Sequence, residues 1–215
     1  GPIVYYLIAL AIGFFPWSIF FGPTLVEAAR KIRDNHHWKP GLILLACWAG
    51  VYLALFSLAR TKLPNYITPA YPAVALMTGC FLYRYRRAPA WSPALLPKLS
   101  SATLVLVGVG MLIGLPVAAH LFLPGDEWLG LIALVPLVGG IAALRLQARA
   151  KSGRAVITVA VASVLLVTAL IGVAPVRVDR HRTDHALLAA IRARNDHPRI
   201  AALGCLEPSW VFYAG

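Results

Sequence analysis

Charge is scarce along this chain, and negative charge most of all. Only 13% of the 215 residues are charged, with 8 Asp and Glu against 20 Lys and Arg. A water-soluble domain carries about a quarter charged residues, so an ordinary soluble globule is excluded. Cysteine is sparse too. Cys47, Cys80 and Cys205 form no CxxC or other metal-binding spacing. Cys47 and Cys80 fall within apolar runs and are expected to be small buried hydrophobes. There is no GxSxG, no phosphate-binding P-loop and no dinucleotide-binding glycine fingerprint. Internal repeats and low-complexity linkers are also missing. The start, Gly1-Pro-Ile-Val-Tyr-Tyr6, carries no Met and no basic n-region, which excludes a signal peptide. Both ends read as cuts in a longer protein.

What remains is apolar. Hydrophobic residues make up 60% of the chain. They gather into runs of about 17–25 residues, the length a helix needs to cross the hydrocarbon of a bilayer. Six membrane spans are predicted, at 3–22, 41–59, 67–83, 101–123, 128–146 and 155–175. The fold expected is therefore an all-α polytopic membrane protein. The third span begins among Pro64, Pro69 and Pro72, where a broken or irregular helix start is expected.

The net charge of +12 raises the question of nucleic acid. The placement of the basic residues answers it. They cluster at the ends of apolar runs rather than interleaving with aromatics along a soluble face, so no nucleic-acid partner is expected. Segment 23–40 holds Arg30, Lys31, Arg33 and Lys39. Segment 84–100 holds Arg84, Arg86, Arg87 and Lys98, and 145–154 holds Arg145, Arg149, Lys151 and Arg154. The alternate loops carry only Arg60 and Lys62. By the positive-inside rule the first three segments are cytoplasmic, and the Lys62 segment and the tail after 176 lie outside.

The outer segment Arg60-Thr-Lys-Leu-Pro-Asn-Tyr-Ile-Thr-Pro-Ala-Tyr-Pro72 breaks that rule twice within three residues. Snorkelling of Arg60 and Lys62 to the interface is one reading. The other is an anion site at the membrane surface, with Lys62 as a point charge, Arg60 as a bidentate fork and the start of the next helix adding backbone N–H groups. Tyr66 and Tyr71 fit an aromatic belt and substrate contact equally well. Asp126 and Glu127 are expected at a solvated loop tip. His36 and His37 are expected in water, and His120 to pack between helices or line a cavity. His181 and His185 have the i, i+4 spacing of a helical metal pair, but no third ligand accompanies them, and His197 stands alone. The tail, 177–215, is predicted to begin a small α/β soluble domain: a helix over 184–194, a strand over 199–205 and a helix opening at Pro208.

The stretch Ala59-Arg-Thr-Lys-Leu-Pro-Asn-Tyr-Ile-Thr-Pro-Ala-Tyr-Pro-Ala-Val-Ala-Leu76, with Ser57 before it, resembles a signature of bacterial GT-C glycosyltransferases. These are the enzymes related to the lipid A 4-amino-4-deoxy-L-arabinose transferase and to protein O-mannosyltransferases. The matching positions are Ser57, Lys62, Leu63, Pro64, Tyr66, Pro69 and Pro72, with Arg60 where the signature often has Lys. Gly13-Phe-Phe-Pro-Trp-Ser18 and Pro208-Ser-Trp-Val-Phe-Tyr213 are weaker echoes of the same family. The resemblance implies transfer of a sugar from a polyprenyl-phosphate carrier to a lipid or other periplasmic acceptor, at a bacterial inner membrane. It implies that residues 1–176 are the C-terminal part of the transmembrane module and that 177–215 open the periplasmic domain. Lys62 and Arg60 would contact the carrier phosphate. The family's acidic catalytic residue belongs to its N-terminal half, so no catalytic residue is assigned here, and use of a divalent metal by the longer protein is left open.

A lipid-phosphate-binding transporter or flippase-like subunit is the alternative. It predicts ionisable residues near the middle of several spans, and the last three predicted spans hold almost none. A non-catalytic scaffold would leave the Lys62–Pro72 segment without a role.

Overall fold

The structure, a computed structural model, describes residues 4–59, 62–87, 95–173, 175–177 and 193. Among the described residues every regular element is helical. Helix α1 spans Tyr5–Gly13, α2 Phe21–Arg33, α3 Lys39–Leu58, α4 Tyr71–Arg87, α5 Leu95–Phe122, α6 Leu134–Ala148 and α7 Ser152–Gly172. Short 3-10 turns precede three of them, at Trp17–Phe20, Pro64–Ala70 and Glu127–Ala133.

The surface shows what solvent these helices are built for. Leu44, Val51, Leu55, Leu106, Ile113, Val164 and Ile171 are exposed, whereas Thr24, Glu27, Lys31, Thr78, Ser100, Ser101, Ser152 and Ser163 are buried. Water would reverse that order. Hydrocarbon permits it, because outward-facing leucine costs nothing there and polar groups find partners only inside the bundle. The chain is an all-α polytopic membrane protein. Helix contacts follow the same logic. A Cβ on Gly108 would sit 2.7 Å from the Leu137 amide nitrogen, and one on Gly140 would sit 2.9 Å from that of Val105. Small residues at these crossings let the α5 and α6 backbones approach closely. Ala143, Ala155 and Val159 continue the buried seam between α6 and α7.

Four of the expected spans match single stretches: Lys39–Leu58, Leu95–Phe122, Glu127–Ala148 and the helix beginning at Ser152 are each long and apolar enough to cross a membrane. The other two differ. The predicted span 3–22 is not one helix, because the chain bends by 114° between α1 and Trp17–Arg33. The break falls at Pro16, which offers no amide hydrogen and crowds the preceding turn. The bent pair counts as a fifth crossing only if its two parts are taken together. The predicted span 67–83 is shifted. Residues 64–70 form a 3-10 turn containing Pro69, and α4 proper is 17 residues long. The helix, strand and helix expected after 177 lie outside the described residues.

The three basic segments gather at one end of the bundle. Glu27 of α2 reaches Arg84 of α4. Arg86 lies against Gly153 at the start of α7. Gln147 near the end of α6 donates to the Pro97 carbonyl oxygen near the start of α5 at 3.3 Å. At the opposite end Arg177 pairs with Asp126 at 3.6 Å and lies over the Trp128 ring. The Lys62 segment follows α3, whose 20 residues carry the chain about 30 Å from the basic end.

Candidate anion site at the end of α3

The site begins where α3 stops. Ala59 and Leu63 take extended backbone conformations, and Pro64 opens the 3-10 turn that leads into α4. Proline fixes φ at both Pro64 and Pro69, which stiffens the segment. Lys62 is thereby turned back over the end of α3. Its Nζ donates to the Ser57 carbonyl oxygen at 2.7 Å, one of the last carbonyls of α3, which the helix leaves without intrahelical partners. The same ammonium lies 5.4 Å from the centre of the Tyr6 ring on α1.

Lys62 is half-buried, and among the described residues no carboxylate pairs with it. A cation withdrawn from water without a counter-charge favours an anion from outside. The helix-end contribution expected at α4 is smaller than the sequence implied. The Tyr71 amide already donates to Thr68, and the Tyr66 amide to Leu63.

Tyr66 shares the neighbourhood of Lys62. Its ring is 5.3 Å from Phe56, which is 6.0 Å from Tyr6. Tyr71 faces another way. Its hydroxyl fills the space over Gly13, where any Cβ would collide with it, and reaches the Ala9 carbonyl oxygen at 3.5 Å. Its ring stacks with Phe14 at 6.1 Å. Two separate sequence motifs, Gly13–Ser18 and Ala59–Leu76, thus meet at one contact. Arg60 lies outside the described residues.

Beside the site runs an apolar cavity of about 340 Å³, lined by Leu7, Leu10, Phe21, Ala49, Leu53 and Met77 among others. Leu10 and Ala49 also belong to the core cluster that contains Tyr6, so the cavity adjoins that cluster.

Other expected residues are placed differently. Asp126 is not at a solvated tip: it is 7% exposed, accepts from the Trp128 indole N–H at 3.0 Å and pairs with Arg177. Glu127 accepts from the Gly125 amide at 3.3 Å and pairs with His120 at 3.4 Å. His120 is exposed rather than packed between helices. His36 and His37 stack on one another with ring centres 4.0 Å apart. Partial burial, then the charges of Lys31, His37 and Arg84, hold the His36 imidazole below its usual range. Cys47 is exposed on α3 and Cys80 half-buried, so the expectation of two buried cysteines fails for Cys47. Cys205, His181, His185 and His197 lie outside the described residues. No cluster of three or more His, Cys, Asp or Glu occurs among the described residues.

Sequence reading missed two features. Tyr6 is hidden in an unremarkable apolar run. The other is a trio at the basic end, buried Glu27 and Lys31 with half-buried Arg84, in which Glu27 Oε1 lies 3.5 Å from Lys31 and 3.2 Å from Arg84. The i, i+4 spacing of Glu27 and Lys31 was a legible signal, but Arg84 was not.

No family model matches the chain. Relatives do. The undecaprenyl phosphate-alpha-4-amino-4-deoxy-L-arabinose arabinosyl transferase of Pectobacterium carotovorum is 27% identical over 150 residues, covering 66% of this chain and 25% of that protein. Its namesake in Pseudomonas paraeruginosa is 39% identical over 88 residues, covering 40% of this chain and 15% of its own length. Among solved structures, ArnT from Cupriavidus metallidurans in the apo state aligns with a TM-score of 0.62 at 23% identity, across 100% of this chain and 39% of that one. In sequence the chain is similar to these arabinosyl transferases, and in fold to ArnT. It spans about a quarter of the length of the first curated relatives it matches. The structure of that ArnT bound to undecaprenyl phosphate aligns equally well, with a TM-score of 0.62 at 21% identity.

Proposed function

We propose that this chain is part of a membrane glycosyltransferase that moves a sugar from a polyprenyl-phosphate carrier to a lipid or other acceptor at the periplasmic face. The observation that carries the reading is Lys62: half-buried, without a carboxylate partner among the described residues, and at the end of the bundle opposite the basic segments. The names of the relatives supply the donor class, undecaprenyl phosphate bearing 4-amino-4-deoxy-L-arabinose. Lys62, with Arg60, would contact the carrier phosphate. A cation there stabilises the charge left on the phosphate as the sugar departs, and such preplaced charge lowers the barrier. Tyr66 and Tyr71 are the aromatic candidates for carrier contact, and the apolar cavity beside Leu10 and Ala49 has the chemistry of a prenyl chain. Residues 1–176 would be the C-terminal part of the transmembrane module, in the bacterial inner membrane, and 177–215 the start of a periplasmic domain. The catalytic acidic residue would come from the rest of the protein.

The test is sugar transfer by the full-length protein in membranes, with labelled polyprenyl-phosphate sugar as donor. Lys62→Ala is expected to abolish most transfer while the protein still inserts. Transfer at the wild-type rate would remove Lys62 from the site. Movement of the carrier across the bilayer without sugar transfer would favour the transporter reading instead.

A further inference from the structure

We propose that Tyr6 is a positioning residue for the anion site, acting through Lys62; this rests on the reading of Lys62 given above. Tyr6 is 0% exposed, and its ring lies 5.4 Å from Lys62 Nζ. A cation within about 6 Å of an aromatic face is attracted by the ring quadrupole. An ammonium has three donors and no acceptor. One Lys62 donor goes to the Ser57 carbonyl oxygen, and the Tyr6 ring covers a second side. A long, rotamer-rich side chain is thereby held before the ligand arrives, and the donor left over has a restricted direction. Ordering a group in advance raises affinity by removing that cost from the binding step.

Tyr6 is itself fixed. Tyr5 meets it edge-on at 5.0 Å and Phe56 packs at 6.0 Å. Phe56 also meets Tyr66, so one aromatic row runs from Lys62 to the second candidate contact. The Tyr6 hydroxyl is buried and has no hydrogen-bond partner among the described residues. The ring, not the hydroxyl, is therefore the working part, and that separates the proposal from a purely structural role for the phenol.

The experiment titrates full-length protein in detergent with undecaprenyl phosphate. Tyr6→Phe keeps the ring and is expected to bind within about twofold of wild type. Pentafluorophenylalanine at position 6 keeps the shape but inverts the ring quadrupole. It is expected to weaken binding by about two- to fivefold, the scale of one exposed cation–π contact. In a Lys62→Met background the same replacement is expected to change nothing. Equal loss in both backgrounds, or no loss on fluorination, overturns the role of Tyr6 while leaving Lys62 in place. Wild-type binding by Lys62→Met overturns the anion-site reading, and this proposal with it.

Discussion

Lys31 and Lys62 are both withdrawn from water, but among the described residues only Lys31 has a carboxylate beside it. Lys31 lies against Glu27, with Arg84 on the same carboxylate oxygen and the Trp38 ring 3.6 Å from its ammonium. Lys62 has a backbone carbonyl and an aromatic ring. The first arrangement neutralises its charge internally and joins α2 to α4. The second leaves a net positive charge at the end of α3. Buried charge that is paired serves the fold, and half-buried charge that is unpaired is available to a ligand.

The comparison can be broken at several points. The largest effect is expected from Glu27→Ala, which takes one carboxylate from both the buried Lys31 and the half-buried Arg84. Loss of one partner of a buried pair costs about 3–5 kcal/mol. A thermal melt in detergent should show it, and an unchanged midpoint would mean that the trio is not a structural joint. Lys62→Ala should behave in the opposite sense. Its melt should stay near wild type while sugar transfer by the full-length protein falls by about 10²-fold, as for loss of one preplaced charge donor. A Lys62→Ala protein that melts early and transfers normally would invert the assignment.

Gly13→Ala tests the contact between the two motifs. The new methyl would collide with the Tyr71 hydroxyl, and overpacking of this kind costs about 1–3 kcal/mol. Adding Tyr71→Phe should restore much of the loss. If the double variant is no better than the single one, the clash is not what Gly13 avoids. The smallest effect is expected at the outer end. Asp126→Asn keeps the buried shape and weakens the pair with Arg177, whose side chain is a third exposed, so the loss is expected to be about 1 kcal/mol. A shift as large as that of Glu27→Ala would show that this end, too, is a joint.

Much of the architecture was legible in the sequence. The stretches beginning at Lys39, Leu95, Glu127 and Ser152 follow from length and hydropathy alone, because hydrocarbon accepts little else. The grouping of Arg30, Arg84 and Arg154 segments on one side followed from counting charge between spans, and the contacts of Arg84 with Glu27 and of Arg86 with Gly153 agree. Lys62 stood out because it breaks that count. The bend at Pro16 was not legible as such, since a proline in an apolar run can kink, break or start a helix. Tyr6, Glu27 and the exposed face of His120 were illegible for a different reason: each acquires its meaning from a residue on another helix.

The sequence by itself determined that the chain is a bundle of membrane-length helices and which end of it is basic. Those properties depend on local hydropathy and charge, which a single strand of residues carries. Only the tertiary structure decided which lysine is neutralised, that Tyr71 pins Gly13 across 58 positions, and that Lys62 rests on Tyr6. Pairing and burial are relations between helices, and they come into being only when the helices pack.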